Sequence, residues 1–187
     1  AIRMTAKRDG YFYILNGEKT SISLGMTSDI AMIFAKTDPK AKARGVSCFW
    51  VPLDFPGITR TSQQHTGWKS YCPSSIIMDG VRVPSKYLVE EEGKGFYIAM
   101  STIDCFRVCL GLMSLGLAQS SLEEAIKYAL QRTAFGQPIA RFEGVSFKIA
   151  EHATLIEAAR LLCYRALYLR DQGMSHIKES AMCKWWC

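Results

Sequence analysis

Asp104 and Arg107 are the side chains of this sequence whose types and spacing most directly invite chemistry. They stand three positions apart inside a strongly apolar stretch, so on a helix they share a face and can pair. A charged group in such surroundings is costly without a partner. The same pair can accept and donate hydrogen bonds to a polar ligand. Tyr97 precedes Asp104 by about two helical turns. Seven cysteines, an odd number at irregular spacings, point to reduced, buried thiols rather than a disulfide framework. Cys105 and Cys109 lie one helical turn apart, as do Cys183 and Cys187, but the three histidines are scattered and no metal-ligand spacing occurs. Glu90, Glu91, Glu92, Glu123, Glu124, Glu151 and Glu157 match no catalytic motif and read as solvated charge.

The composition narrows the setting. The chain has 187 residues, 49% of them hydrophobic and 21% charged, which excludes a disordered protein. Lys and Arg number 23 against 17 Asp and Glu, a net charge of +6. Residues 1–92 hold 12 basic and 9 acidic side chains, and residues 93–187 hold 11 and 8. Both halves are equally and mildly basic, with no tail or patch that would mark a nucleic-acid binder. Such a surface fits a phosphorylated small molecule. The longest strongly apolar run, Val108 to Ala118, is about half of what spans a bilayer. No membrane span is expected, and the thiols with no signal-peptide pattern point to a cytoplasmic protein, or to an organelle matrix in a eukaryote.

Two elements of different period must position these residues. From Ala1 to about Val89 the pattern is β. Tyr11 to Leu15 leads into Asn16-Gly17, a dipeptide suited to a hairpin turn, and Glu18 to Leu24 would return with Thr20, Ile22 and Leu24 on one face. Further strands are expected at Ile30–Ala35, Val46–Val51, Ile58–Thr61 and Ser75–Met78, with breaks that include Asp38-Pro39, Pro56-Gly57 and Asp79-Gly80. This spacing predicts an antiparallel β-barrel or sandwich. After Glu92-Gly93 the period becomes helical. One helix is expected from about Tyr97 to Arg132, with Ile103, Phe106, Leu110, Met113 and Leu117 as its apolar stripe, continued by Leu122, Ala125 and Ala129, and looser turns near Gly111 or Gly116. A second runs from about Phe142 to Arg170 on Val145, Ile149, Ile156, Ala159, Cys163 and Ala166, capped at Gly173. A third begins near His176. The fold class expected is α+β, a β-domain over 1–92 followed by long antiparallel helices of an incomplete four-helix bundle over 93–187.

Five segments in this order resemble the acyl-CoA dehydrogenase family: Asn16-Gly17-Glu18-Lys19-Thr20, Val81-Arg82-Val83-Pro84, Gly93-Lys94-Gly95-Phe96, Asp104-Cys105-Phe106-Arg107 and Gln131-Arg132-Thr133-Ala134-Phe135-Gly136. The resemblance implies an FAD enzyme that oxidises the Cα–Cβ bond of an acyl-CoA thioester, a carboxylate taking the α-proton while the β-hydrogen leaves as hydride to flavin N5. It places the catalytic base outside this chain, together with the phosphate-side loop that precedes the first matched strand. Ser21, Ile22 and Ser23 fall where the family sets an aromatic-Ile-Thr/Ser segment against the flavin, Ser21 replacing the aromatic residue. Tyr97, Asp104, Cys105, Phe106 and Arg107 match the substrate segment that lines the pantetheine channel. Arg132, Phe135 and Glu143 match positions that contact the FAD diphosphate and adenosine of a neighbouring subunit. A guanidinium suits a diphosphate, whereas Glu143 stands where Gln is usual. A homotetramer (dimer of dimers) and an electron-transfer flavoprotein or similar acceptor are implied as partners. Lys19 to Gly25 with Ala181 to Cys187 looks most like the branch acting on alicyclic acyl-CoAs; a short or branched chain is the alternative. The runner-up activities are an acyl-CoA oxidase or flavin monooxygenase of the same fold, or a non-catalytic subunit kept for assembly.

Overall fold

The computed structural model describes residues 2–187, and its contacts divide it into a unit ending at Met100 and a unit from Ser101 to Cys187. The first unit is one mixed sheet of seven strands. These are β1 (Thr5–Asp9), β2 (Phe12–Ile22), β3 (Ile30–Lys36), β4 (Val46–Pro52), β5 (Ile58–Ser62), β6 (Ser74–Pro84) and β7 (Leu88–Val89). They lie in the order β5-β6-β2-β1-β3-β4-β7, with every neighbouring pair antiparallel except β1 and β3, which meet parallel at Thr5 and Lys36. The α+β class is as the sequence predicts, but the sheet is open at β5 and β7 and forms no closed barrel.

One core serves the whole sheet. Ala6, Tyr13, Leu15, Ile33, Ala35, Phe49, Val51, Ile76, Met78, Val81 and Val83 are buried together, with the Tyr13 and Phe49 rings edge-on at 4.9 Å. The Val, Leu, Ile, Phe and Met side chains among them each contribute roughly 1.5–3 kcal/mol by leaving water. In β6 the buried set changes parity between Met78 and Val81. A β-bulge explains it: Leu15 faces Val81 and Gly17 faces Met78, so Asp79 and Gly80 together oppose Asn16. Gly80 takes the left-handed conformation (φ 61°) that glycine adopts without strain, and its N–H donates to Asn16 Oδ1 at 2.8 Å.

This corrects two turns. Asn16-Gly17 does not reverse the chain but lies within the single strand β2, and Asp79-Gly80 lies within β6. The hairpin is made instead by β1 and β2 around Gly10 (φ 56°) and Tyr11, with Asp9 opposite Phe12.

The second unit holds most of α1 (Gly95–Gln131), the two-stranded β8 (Thr133–Ala134) and β9 (Gln137–Pro138), α2 (Glu143–Asp171) and α3 (Ile177–Trp186). Gly173 follows α2 with φ 67°, the left-handed position expected after a helix. The α2 stripe buries Ile156, Ala159, Cys163 and Ala166, as its spacing predicts. On α1 the expected stripe fails in its first part and holds in its last, where Leu122 packs on a buried cluster and Ala129 is buried. Ile103, Phe106, Met113 and Leu117 are exposed, and the buried line is Asp104, Val108, Gly111 and Leu115. Both lines have helical spacing, so periodicity alone could not choose between them. Gly111 is not a loosened turn: α1 is continuous, and a Cβ there would stand 3.2 Å from the Cys183 carbonyl oxygen, so glycine admits the close approach of α3. By length and composition α1 is apolar enough to cross a membrane, more than Val108 to Ala118 alone indicated. Between α1 and α2 lies a groove of about 620 Å³ lined by Leu115, Leu122, Ile149, Leu155, Ile156 and Trp186, among others.

Candidate functional site

The segment from Ser21 to Ser28 is shaped by a second bulge. Lys19 faces Ile76 and Ile22 faces Ser74, so Thr20 and Ser21 together oppose Ser75. Ser21 absorbs the extra residue at φ 54°, a left-handed conformation that costs a non-glycine residue about 1 kcal/mol. The regular alternation expected for Glu18–Leu24 therefore fails: β2 ends at Ile22, and Ser23 stands in the following turn. Ser21 is exposed and Ser23 half-buried. Among the described residues neither hydroxyl has a hydrogen-bond partner, so both are free to meet a ligand.

The turn itself is fixed from behind. Arg60 Nη1 donates to the carbonyls of Gly25, Met26 and Ser28 at 3.3, 3.4 and 3.0 Å. Leu24 N–H donates to the Tyr71 carbonyl at 2.9 Å. Gly25 is buried against Ser74, whose Oγ would lie 2.0 Å from any added Cβ. Sequence reasoning missed Arg60 because it is more than thirty residues away along the chain, and no local signal marks it.

On α1, Arg107 Nη1 donates to Asp104 Oδ1 at 2.7 Å, the pair the spacing predicts. Asp104 is buried, with 11% of its side chain exposed, while the Arg107 side chain is 35% exposed. Cys105 accepts a hydrogen bond at 3.0 Å from Arg170 of α2, a contact the sequence gives no hint of. Cys109 is exposed rather than buried, and its thiol is pushed up by partial burial and by Cys105. Phe106 and Tyr97 are both exposed, Tyr97 edge-on to Phe96 at 6.0 Å.

The third group lies around the β8–β9 hairpin. Phe135 (φ 51°) and Gly136 (φ 79°) form its two-residue turn, with both residues left-handed as a type I′ turn requires. Phe135 is 96% exposed, its ring edge-to-face with Phe142 at 6.1 Å. Arg132 follows the last turn of α1, its N–H donating to the Tyr128 carbonyl, and its own carbonyl accepts from Ile139 N–H. No carboxylate lies within ion-pair distance of Arg132 among the described residues. Glu143 is the exposed first residue of α2, where the helix macrodipole favours a carboxylate, and that local preference accounts for Glu at this position.

The remaining carboxylates are occupied or solvated. Tyr13 donates to Glu92, which also pairs with Arg8 at 3.6 Å. Burial, reinforced by that carboxylate, pushes the Tyr13 hydroxyl up to about 12. Glu157 pairs with Arg160, Glu124 with Lys127, and Glu123 accepts from Gln119. Among the described residues no group of His, Cys, Asp or Glu is arranged to hold a metal ion.

Residues 1–81 match the acyl-CoA dehydrogenase middle domain, and residues 93–187 match the acyl-CoA dehydrogenase C-terminal domain. The chain belongs to the acyl-CoA dehydrogenase family. It is similar to the caffeyl-CoA reductase–Etf complex subunit CarC of Acetobacterium woodii, at 42% identity over 97% of this chain and 48% of that protein. The mouse mitochondrial short-chain specific acyl-CoA dehydrogenase is 38% identical over 98% of this chain and 45% of its own length. Among solved structures, butyryl-CoA dehydrogenase of Megasphaera elsdenii superposes with a TM-score of 0.94 at 33% identity, over 99% of this chain and 49% of that one. The chain thus spans about half the length of the curated relatives it matches. The acyl-CoA dehydrogenase family is one of FAD-dependent oxidoreductases.

Proposed function

We propose that the protein containing this chain carries out FAD-dependent α,β-dehydrogenation of an acyl-CoA thioester. The match of both halves of the chain, in order, to two successive domains of one flavoprotein family carries the reading. The free Ser21 and Ser23 hydroxyls, the unpaired Arg132 guanidinium and the bare Phe135 ring are donors and surfaces that fit FAD. Ser21, Ile22 and Ser23 would flank its ring system. Arg132 and Phe135 would hold the diphosphate and adenosine of a neighbouring subunit's cofactor, with Glu143 at the margin of that contact. FAD, when bound, supplies the hydride acceptor for the reaction.

The chain's own residues bind and orient the substrate. Arg107 keeps a third of its side chain exposed while held by Asp104, so it can donate to an amide carbonyl of the pantetheine arm without leaving its partner. Asp104 in turn has acceptor capacity beyond its one ion pair. Tyr97, Cys105 and Phe106 would complete the channel. The carboxylates of this chain match no catalytic motif of the family, and we assign the base for the α-proton to the part of the relatives' length that this chain does not span. The small side chain at Ser21 leaves room beside the flavin and supports a bulkier acyl group such as an alicyclic ring, with a short or branched chain as the alternative. CarC is named as a subunit of a complex with Etf, which supports an electron-transfer flavoprotein as acceptor. A homotetramer in the cytoplasm, or in an organelle matrix, completes the proposal.

The test is an oxygen-consumption and peroxide assay of full-length protein with acyl-CoA, with and without an artificial electron acceptor. Turnover that depends on the acceptor is expected. Rapid peroxide release without it would make the protein an oxidase. Arg107→Ala should weaken acyl-CoA binding with FAD retained, and unchanged affinity would remove Arg107 from the substrate channel.

A further inference from the structure

We propose that Cys163 and Cys187 are a reversible disulfide site that staples the last turn of α3 to the middle of α2. Their sulfurs stand 3.8 Å apart although 24 residues separate them in sequence. Closing that gap to the roughly 2 Å of a disulfide needs a movement of under about 2 Å. Cys163 is fully buried in the cluster formed with Val108, Ala166 and Cys183. Cys187 is half-buried and lines the groove between α1 and α2, so of the two sulfurs it is the less sheltered.

Cys183 is the competing partner, packed against Cys163 in the same cluster, but like Cys163 it is fully buried, so that pair has no sulfur for an oxidant to reach first. Cys183 and Cys187 lie on successive turns, as Cys105 and Cys109 do on α1. Helical positions four apart hold their Cβ atoms about 5–6 Å from each other, beyond the roughly 3.5–4.5 Å that a disulfide requires. Cys48 is buried in the other unit, and Cys72 bonds the carbonyl of its own 3-10 turn. Burial pushes both Cys163 and Cys187 up to about 11, so the pair persists as thiols in a reducing solution and closes slowly.

The oxidant is a low-molecular-weight disulfide of the glutathione type. Cys187 loses its proton to water and its thiolate attacks one sulfur of the small disulfide, breaking that S–S bond and releasing one small thiolate, which takes up a proton. Cys163, deprotonated in turn, attacks Cys187 Sγ, forms the protein S–S bond and releases the second small thiol. Two protein thiols are oxidised and one small disulfide is reduced to two thiols. Because Trp186 and Cys187 together line the groove, closure fixes that part of its wall.

Trypsin separates the three thiols. Cleavage after Arg160, Arg165, Lys178 and Lys184 leaves Cys163 in residues 161–165 and Cys183 in residues 179–184, and Cys187 in the peptide that follows. Full-length FAD-loaded protein is incubated with oxidised glutathione, alkylated and digested. The expected product is the 161–165 peptide joined to the Cys187 peptide, with the protein lighter by about 2 Da, reversed by dithiothreitol. The link should vanish in Cys187→Ser and survive in Cys183→Ala. Cys163→Ala keeps the buried site apolar, and loss of the link there, with circular dichroism unchanged, adds support. A link through Cys183 or between Cys105 and Cys109, or seven thiols still reduced after prolonged oxidation, would overturn the proposal.

Discussion

Removing Arg107 should cost the protein more than removing Asp104, although both substitutions delete the same ion pair. The reason lies in the exposures. In Arg107→Ala the Asp104 carboxylate stays where it is, 11% exposed, with its cation gone. An unpaired, nearly buried carboxylate costs about 1–3 kcal/mol, less than a fully buried pair because water reaches in along the 35% exposed arginine. In Asp104→Ala the guanidinium already reaches water and can turn fully toward it, so the loss should be about 0.5–1 kcal/mol. The double variant should resemble Asp104→Ala, so the two single effects sum to more than the double by about 1 kcal/mol or more. Urea unfolding of the full-length protein at fixed FAD concentration, followed by circular dichroism, reads these differences. Equal single costs, a costlier Asp104→Ala, or additivity within about 0.3 kcal/mol would show that burial asymmetry does not govern this pair.

Two further outcomes follow from particular residues. Ser21→Gly should stabilise the protein by about 0.5–1 kcal/mol, because glycine takes φ 54° without strain, and Ser21→Val should destabilise it; the reverse order in thermal unfolding would mean the bulge is relaxed in solution. Tyr13 holds its proton to about 12 when folded against about 10 when unfolded, so its contribution is complete below pH 10 and is lost as pH rises from 10 toward 12. That loss should be on the order of 2–3 kcal/mol, absent from Tyr13→Phe, and visible in alkaline unfolding curves; identical alkaline curves for both proteins would contradict it.

Some of this architecture is legible in the sequence and some is not, for reasons that particular residues make plain. The α2 stripe could be read because its apolar positions repeat on one face only. The first half of the α1 stripe could not, since two helical lines compete there, the more apolar one stays outside, and only the partners α2 and α3 decide that Val108 and Leu115 go inside. Asn16-Gly17 and Asp79-Gly80 carry turn chemistry, yet a positive φ serves a bulge as well as a reversal. What selects the bulge is a hydrogen bond between residues 64 positions apart. Asp104 with Arg107 was visible because its partner is one turn away. Arg60 behind the Ser21–Ser28 segment, Arg170 on Cys105, and Cys163 meeting Cys187 are tertiary, and no local spacing announces them.

The central claim is tested most directly by the visible spectrum of full-length protein purified without flavin loss, recorded anaerobically while acyl-CoA is added. Flavin absorption that bleaches on addition of an acyl-CoA, an alicyclic or a short- or branched-chain one, is the expected result. Protein that carries no flavin and cannot be reconstituted with FAD, or flavin that no acyl-CoA bleaches, would contradict it.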